Sequence, residues 1–230
     1  MGRHRATEDV RESHLAVLGP ELGPVYHAVY NQVVWLHVKW KQYVQLFGTS
    51  PERIDLLNQS ASYFFRVIEL TLWQDTLLHL ARLTDPPQTG RKDNLTIRRL
   101  PDLVGAGTLK VDLQKLIDAA GAATDFVRDW RNRHIAHRDL KLALQDGAQP
   151  LAPASREQVN EAIAAISQVL QRLSLAYFDS EVRFDLVFTF ADAESLLYTI
   201  RDGLDAEKQR RDRESKGNMT PEDLRFPPPV

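Results

Sequence analysis

The spacing of its apolar residues constrains this chain more than any other feature. From Pro24 to Phe47, the residues Val25, Val29, Val33, Leu36, Trp40, Val44 and Phe47 recur three or four apart. That interval lines side chains along one face of an α-helix and fits no strand. Gly48 closes the segment, and "TSPERIDLL" opens the next with Pro51 suited to a first helical turn. The second segment continues through "NQSASYFFRVIELTLWQDTLLHLARL" and is apolar on more than one side, so it is expected to be the central, most buried helix. Pro86-Pro87 then stops it, because proline lacks the amide hydrogen and crowds the turn before it.

The same periodicity returns after a polar loop at 85–95. "TIRRLPDLV" reads as a short helix, and a long one starts at Leu109 and runs towards "FVRDWRNRHIAH", with Gly121 a weak point inside it. Ser155 and Gln158 form a capping-box pair before "REQVNEAIAAISQVLQRLSLAYF", and Asp192 is placed to cap a last helix. The alternation of Val182, Phe184, Leu186 and Phe188 is the one strand-like signal. Trp35, Trp40, Trp73, Phe64 and Phe65 sit at helical spacings and read as core. The expected fold is all-α: a bundle of five to six helices with at most one short strand pair. A single domain is expected over 1–214, with its core at about 24–180, a C-terminal helix at about 192–213 and a flexible tail at 215–230.

Composition removes several functions. The chain has 230 residues, 43% of them apolar, so it can build a packed core. Lys plus Arg number 29 against 31 acidic residues, for a formal net charge of −2. A protein that coats nucleic acid is usually basic, so any such contact here must be local. There is no cysteine, hence no disulfide and no thiolate metal site, which fits a reducing cytoplasm. The polar start, "MGRHRATEDVRES", lacks the apolar core of a signal peptide, and no apolar run reaches the length of a membrane span. A glycine-rich phosphate loop and a Gly-x-Ser-x-Gly elbow are both missing.

Cationic chemistry is concentrated in one place, "FVRDWRNRHIAHRDLK" (126–141), where seven of sixteen residues are Arg, Lys or His. Three readings are open. A solvated helix face is the simplest, but Phe126, Val127, Trp130, Ile135, Ala136 and Leu140 interleave with the charges, so the segment also has an apolar side. Its cations are Arg128, Arg131, Arg133 and Arg138, and arginine grips phosphate in a planar, bidentate fashion. A metal site could use His134 and His137, three apart, yet the neighbouring arginines would repel a divalent ion.

The third reading is an RNA-cleaving site that uses neither metal nor cofactor. If the 2′-hydroxyl attacks its own phosphate, the reaction needs a proton carrier, histidine's particular property, and a fixed cation for the charge developing on the phosphoryl oxygens. Arg131, Asn132 and His137 supply cation, orienting amide and proton carrier. Arg128, Arg133 and Arg138 would contact the RNA. Six residues of regular helix turn roughly 600°, leaving Arg131 and His137 about 120° apart. The helix must therefore distort or end between them, or each must meet a partner from a second subunit. Arg133 with His137 is the rival pair and His134 the rival histidine. Arg82, Thr84 and Asp85 end the second helix, whose C-terminus favours a cation such as Arg82; the functional alternative is that Arg82 or Asp85 contacts the Arg–His site from there, for instance by pairing with Arg131 or Arg133.

"RNRHIAH" resembles the R-x(4–6)-H signature of the HEPN superfamily (higher eukaryotes and prokaryotes nucleotide-binding), in the form where a polar residue follows the arginine. "LARLTDPPQTGRKDNLTIRRL" followed by "FVRDWRNRHIAHRD" looks like the abortive-infection type U branch. The resemblance implies a helical bundle and a metal-independent endoribonuclease in toxin–antitoxin or phage-defence systems. It also implies a homodimer in which two Arg–His motifs meet, with an antitoxin or nucleotidyltransferase as a further partner. Arg131 would then stabilise the phosphate, His137 would act as general acid or base, and Asn132 would orient one or the other. Other HEPN proteins are non-catalytic adaptors that bind RNA or a partner protein, and the resemblance admits that role too.

Overall fold

The computed structural model describes residues 2–137, 139–186, 191–221 and 223, with side chains from residue 8 onward. Among these residues there are eight α-helices and one two-stranded hairpin. The helices are α1 (Gly2–Phe47), α2 (Pro51–Thr84), α3 (Leu100–Leu103), α4 (Thr108–Ala123), α5 (Asp125–Trp130), α6 (Leu140–Leu144), α7 (Arg156–Phe178) and α8 (Ala193–Ser215). A 3-10 turn at Ile97–Arg99 leads into α3, and a π-helical turn at Arg131–Ile135 follows α5.

α1 begins well before Pro24 and breaks at Gly19, whose φ of +78° suits glycine; Pro20 then opens the second part. α2 breaks at Ala61. Both ends of α2 are where the sequence puts them, Pro51 in the first turn and a stop at Thr84 ahead of Pro86. The capping box of α7 has both halves: Ser155 accepts from the Gln158 amide, and the Gln158 side chain accepts from the Ser155 amide. Asp192 caps α8 by accepting from the Glu194 and Ser195 amides.

The chain divides into two compact units. One comprises residues 1–40 and 72–188. Its core is built from Tyr26, Val29, Val33 and Leu36 of α1, Leu77, Leu80 and Leu83 of α2, Leu113 and Ile117 of α4, and Ile166, Leu170 and Leu173 of α7. α4 packs along α7. The other unit comprises 41–71 and 189–230, where Leu46, Leu57, Phe65, Ala193 and Leu197 form a small core. In this unit Asp223, midway along the expected tail, is held by Arg213 at 2.5 Å.

Three expectations change. The strand pair lies at Gln88–Thr89 (β1) and Lys92–Asp93 (β2), not at Val182–Leu186, which is irregular; Phe188 is outside the described residues. A two-residue loop with Gly90 at φ +60° makes β1 and β2 possible, and Asn94 ties the hairpin down by donating to Pro86 O and Thr89 Oγ1. α2 is not buried along its whole length, because Tyr63, Phe64, Val67 and Leu70 are exposed. Of the aromatic residues read as core, Trp40 and Phe65 are buried, whereas Trp35 and Phe64 are more than half exposed. Helical spacing assigns a residue to a face but not to the face that finds a partner.

Candidate nucleic-acid site

The site is assembled where the end of α2 meets the helix that becomes α5. Thr84 Oγ1 donates to Leu80 O at 2.9 Å, and the hydroxyls of Thr84 and Thr124 lie 3.1 Å apart. Thr96 Oγ1 sits 2.8 Å from both Leu83 O and Asp85 O, tying the segment after the hairpin to the last turn of α2. The helix anticipated from Leu109 is interrupted at Thr124, three residues beyond Gly121, and Thr124 Oγ1 satisfies the Ala120 carbonyl there at 2.8 Å. These buried hydroxyls fix the spacing between Asp85 and the segment that follows α5.

Across that joint, Arg131 Nη1 donates to Asp85 Oδ1 at 3.1 Å. The carboxylate is largely buried, with 13% of its side chain exposed, while Arg131 keeps 35% exposed. One face of the guanidinium is thus anchored and the other remains reachable. Arg133 is held differently: it donates to Asp129 at 3.1 Å and to the carbonyl of Gln149 at 2.6 Å. Asp129 also accepts from the Ala152 amide, and Trp130 Nε1 donates to Ala152 O, both at 2.8 Å. Arg128 makes only a loose contact with Asp125, at 3.7 Å.

The helix both distorts and ends between Arg131 and His137. The Ala136 amide donates five residues back to Arg131 O at 2.8 Å, a π turn, which is rare and found often at functional sites. The chain then leaves the helix, and Asp139 caps α6 by accepting from the Leu142 amide at 2.8 Å. His137 stands at this corner and is exposed, as is Asn132 within the turn. Neither side chain has a hydrogen-bond partner among the described residues. His134 is half-buried and packs edge-on against Trp130, their ring centroids 5.5 Å apart. Arg82 is exposed, and Arg138 lies outside the described residues.

Of the residues singled out from sequence, the fold therefore joins Arg131 to Asp85 and ties Arg133 and Asp129 to the loop at 149–152. The role of Asp129 was not anticipated. Its pairing with Arg133, four residues on, is visible in the sequence, but its bond to Ala152 depends on the loop's return. Outside this run, Arg99 braces the β1–β2 hairpin by donating to Asn94 O, Pro87 O and Asp93. Among the described residues, no three His, Asp or Glu side chains are grouped so as to hold a metal ion. No helix among them is long and apolar enough to cross a membrane.

No curated protein and no solved structure matches the chain. One family does: HEPN proteins of the AbiU2 type, over residues 19–196. The match spans both sides of the joint just described, from the end of α2 that carries Asp85 to the corner that carries His137, and the chain belongs to this HEPN family.

Proposed function

We propose that this protein is a metal-independent endoribonuclease of the HEPN type, acting in a toxin–antitoxin or phage-defence setting. One observation carries the reading: Arg131 is anchored by a buried carboxylate yet stays reachable, with Asn132 and His137 exposed in the same turn and corner. A fixed cation and an exposed imidazole in one turn and corner of the chain suit phosphate chemistry. The 2′-oxygen would attack the adjacent phosphorus as the 5′-oxygen departs, leaving a 2′,3′-cyclic phosphate and a 5′-hydroxyl. His137 would carry the proton taken from the 2′-hydroxyl or given to the 5′-oxygen, and Arg131 would stabilise the phosphorane oxygens. In a homodimer, two copies of the motif would supply the acid and the base together.

The test compares wild type with Arg131→Ala and His137→Ala on single-stranded RNA. Losses of about 10²–10⁴-fold are expected for His137→Ala and about 10²–10³-fold for Arg131→Ala, with a chelator without effect. Cleavage that survives both substitutions, or that stops with chelator, overturns the reading. A second reading, a non-catalytic adaptor, is favoured by α6, whose Leu140 and Leu144 are 71% and 66% exposed directly after the motif. Tight partner binding without RNA turnover, unchanged by His137→Ala, would select it.

A further inference from the structure

Arg98 lies in the 3-10 turn at Ile97–Arg99, where its amide donates to Thr96 Oγ1 at 3.3 Å. Thr96 is the residue tied to Asp85 O, so the turn is fixed to the joint that carries Arg131. The neighbouring Arg99 is fully committed to the hairpin. Arg98 is half-buried and differs: its Nε is enclosed without a hydrogen-bond partner, and no carboxylate pairs with it among the described residues. An enclosed donor on a cation is costly to leave unpaired, and the partner that fits a guanidinium best is an oxyanion.

Gly121 decides where that guanidinium lies. Glycine weakens a helix interior, yet here it leaves room: a Cβ at 121 would stand 3.1 Å from Arg98 Nη2, closer than ordinary contact. Arg98 therefore rests against the bare backbone of α4. Positions 121, 125, 128 and 132 fall at helical intervals of four, three and four, and only Thr124 separates α4 from α5. They form one stripe of roughly 16 Å that leads into the π turn. Arg98 supplies a cation at its start, Arg128 a second, and the exposed Asn132 ends it beside Arg131. Asp125 interrupts the row with a carboxylate that is 75% exposed and stands 3.7 Å from Arg128.

We propose that Arg98 binds a backbone phosphate of single-stranded RNA whose chain runs along this stripe into the Arg–His corner. The inference rests on reading that corner as an RNA site, and it adds the path of the strand and the residue that fixes its far end. Cations spaced along a line suit a polymer of phosphates better than one small anion. Contacts of this kind set the register of a strand without reading its bases, so Arg98 is a positioning residue and takes no part in the chemistry. Asp125 opposes the strand midway and holds its affinity down.

The test titrates the full chain with a fluorescent single-stranded RNA of about twelve nucleotides across a series of salt concentrations. Its 2′-O-methyl groups block attack by the 2′-oxygen, so binding is read without cleavage. Arg98→Gln should weaken binding about tenfold and flatten the dependence of log affinity on log salt by about 0.7, the share of one phosphate on a single strand, with an unchanged melting temperature. Arg98→Lys should keep the salt dependence, because it keeps the charge. Asp125→Asn should tighten binding about threefold. Binding by Arg98→Gln equal to wild type in affinity and salt dependence overturns this proposal and leaves the roles of Arg131 and His137 standing. A loss shared equally by Arg98→Lys assigns Arg98 to the packing of α4, and unaltered binding by Asp125→Asn places the strand off the stripe; either overturns it. The expected losses in a protein that cleaves no RNA support the proposal while the cleavage reading falls, and no RNA binding by wild type overturns both.

Discussion

Arg131 and Asp85 are 46 residues apart in the chain, and the arginine donates to the carboxylate at 3.1 Å across the joint between the end of α2 and the π turn. The pair links a helix terminus to the phosphate-handling residue proposed above. Asp85→Asn keeps the shape and removes the charge. It should destabilise the fold by about 1–2 kcal/mol and lower RNA cleavage while leaving RNA binding nearly intact, because Arg131 stays cationic but loses its anchor. Urea melts and cleavage rates measured together check this; cleavage equal to wild type would mean that the anchor is only structural.

The hydroxyl joint beneath that pair is buried, so it should be felt in stability. Thr124→Val removes the contacts to Ala120 O and Thr84 Oγ1 and is expected to cost about 1–2 kcal/mol. Thr84→Val should cost a similar amount. A double-mutant cycle should show the two changes to be non-additive by at least about 0.5 kcal/mol, since they share a bond.

Arg133 and Asp129 pin the loop at 149–152 through the Gln149 carbonyl and the Ala152 amide. Arg133→Ala should leave the helices folded, as judged by circular dichroism, yet speed proteolytic nicking at residues 145–155 several-fold, because a loop freed of its bonds opens locally. An unchanged nicking rate would show that Asp129 and Trp130, through the Ala152 amide and carbonyl, hold the loop without Arg133.

His14 should make stability depend on pH. It is 8% exposed, its Nδ1 lies 3.1 Å from that of His27, and Tyr26, Tyr30 and Phe178 pack around it. Burial, with the nearby His27 second, pushes its pKa down from 6.5 to about 4. The native state thus keeps His14 neutral while the unfolded chain protonates it at its ordinary pKa. Stability from this group is fully present above pH 6.5 and is lost as pH falls towards 4. His79, also buried and pushed down to about 4, acts in the same direction. Melting temperature should fall between pH 7 and pH 5, and His14→Phe should flatten that slope; a slope equal to wild type would place the acid sensitivity elsewhere.

Much of the fold is written locally in the sequence. Apolar residues three and four apart, Pro51 in a first turn, Pro86 after a last one, the Ser155–Gln158 box and the Asp192 cap each act within a turn or two of helix. Their physics needs no distant partner, so the helices and the family are legible from residue order alone. The Arg-Asn…His order, on which the proposed site rests, is read from residue order in the same way. What the sequence leaves open depends on groups that meet only after folding. Phe64 and Phe65 are neighbours with the same chemistry, yet only Phe65 finds a core to enter. Arg131, Arg133 and Arg138 carry the same charge in one short run. Tertiary structure sets Arg131 against Asp85 and ties Arg133 to Asp129 and Gln149, because an ion pair forms with whichever carboxylate or carbonyl the packing brings within reach.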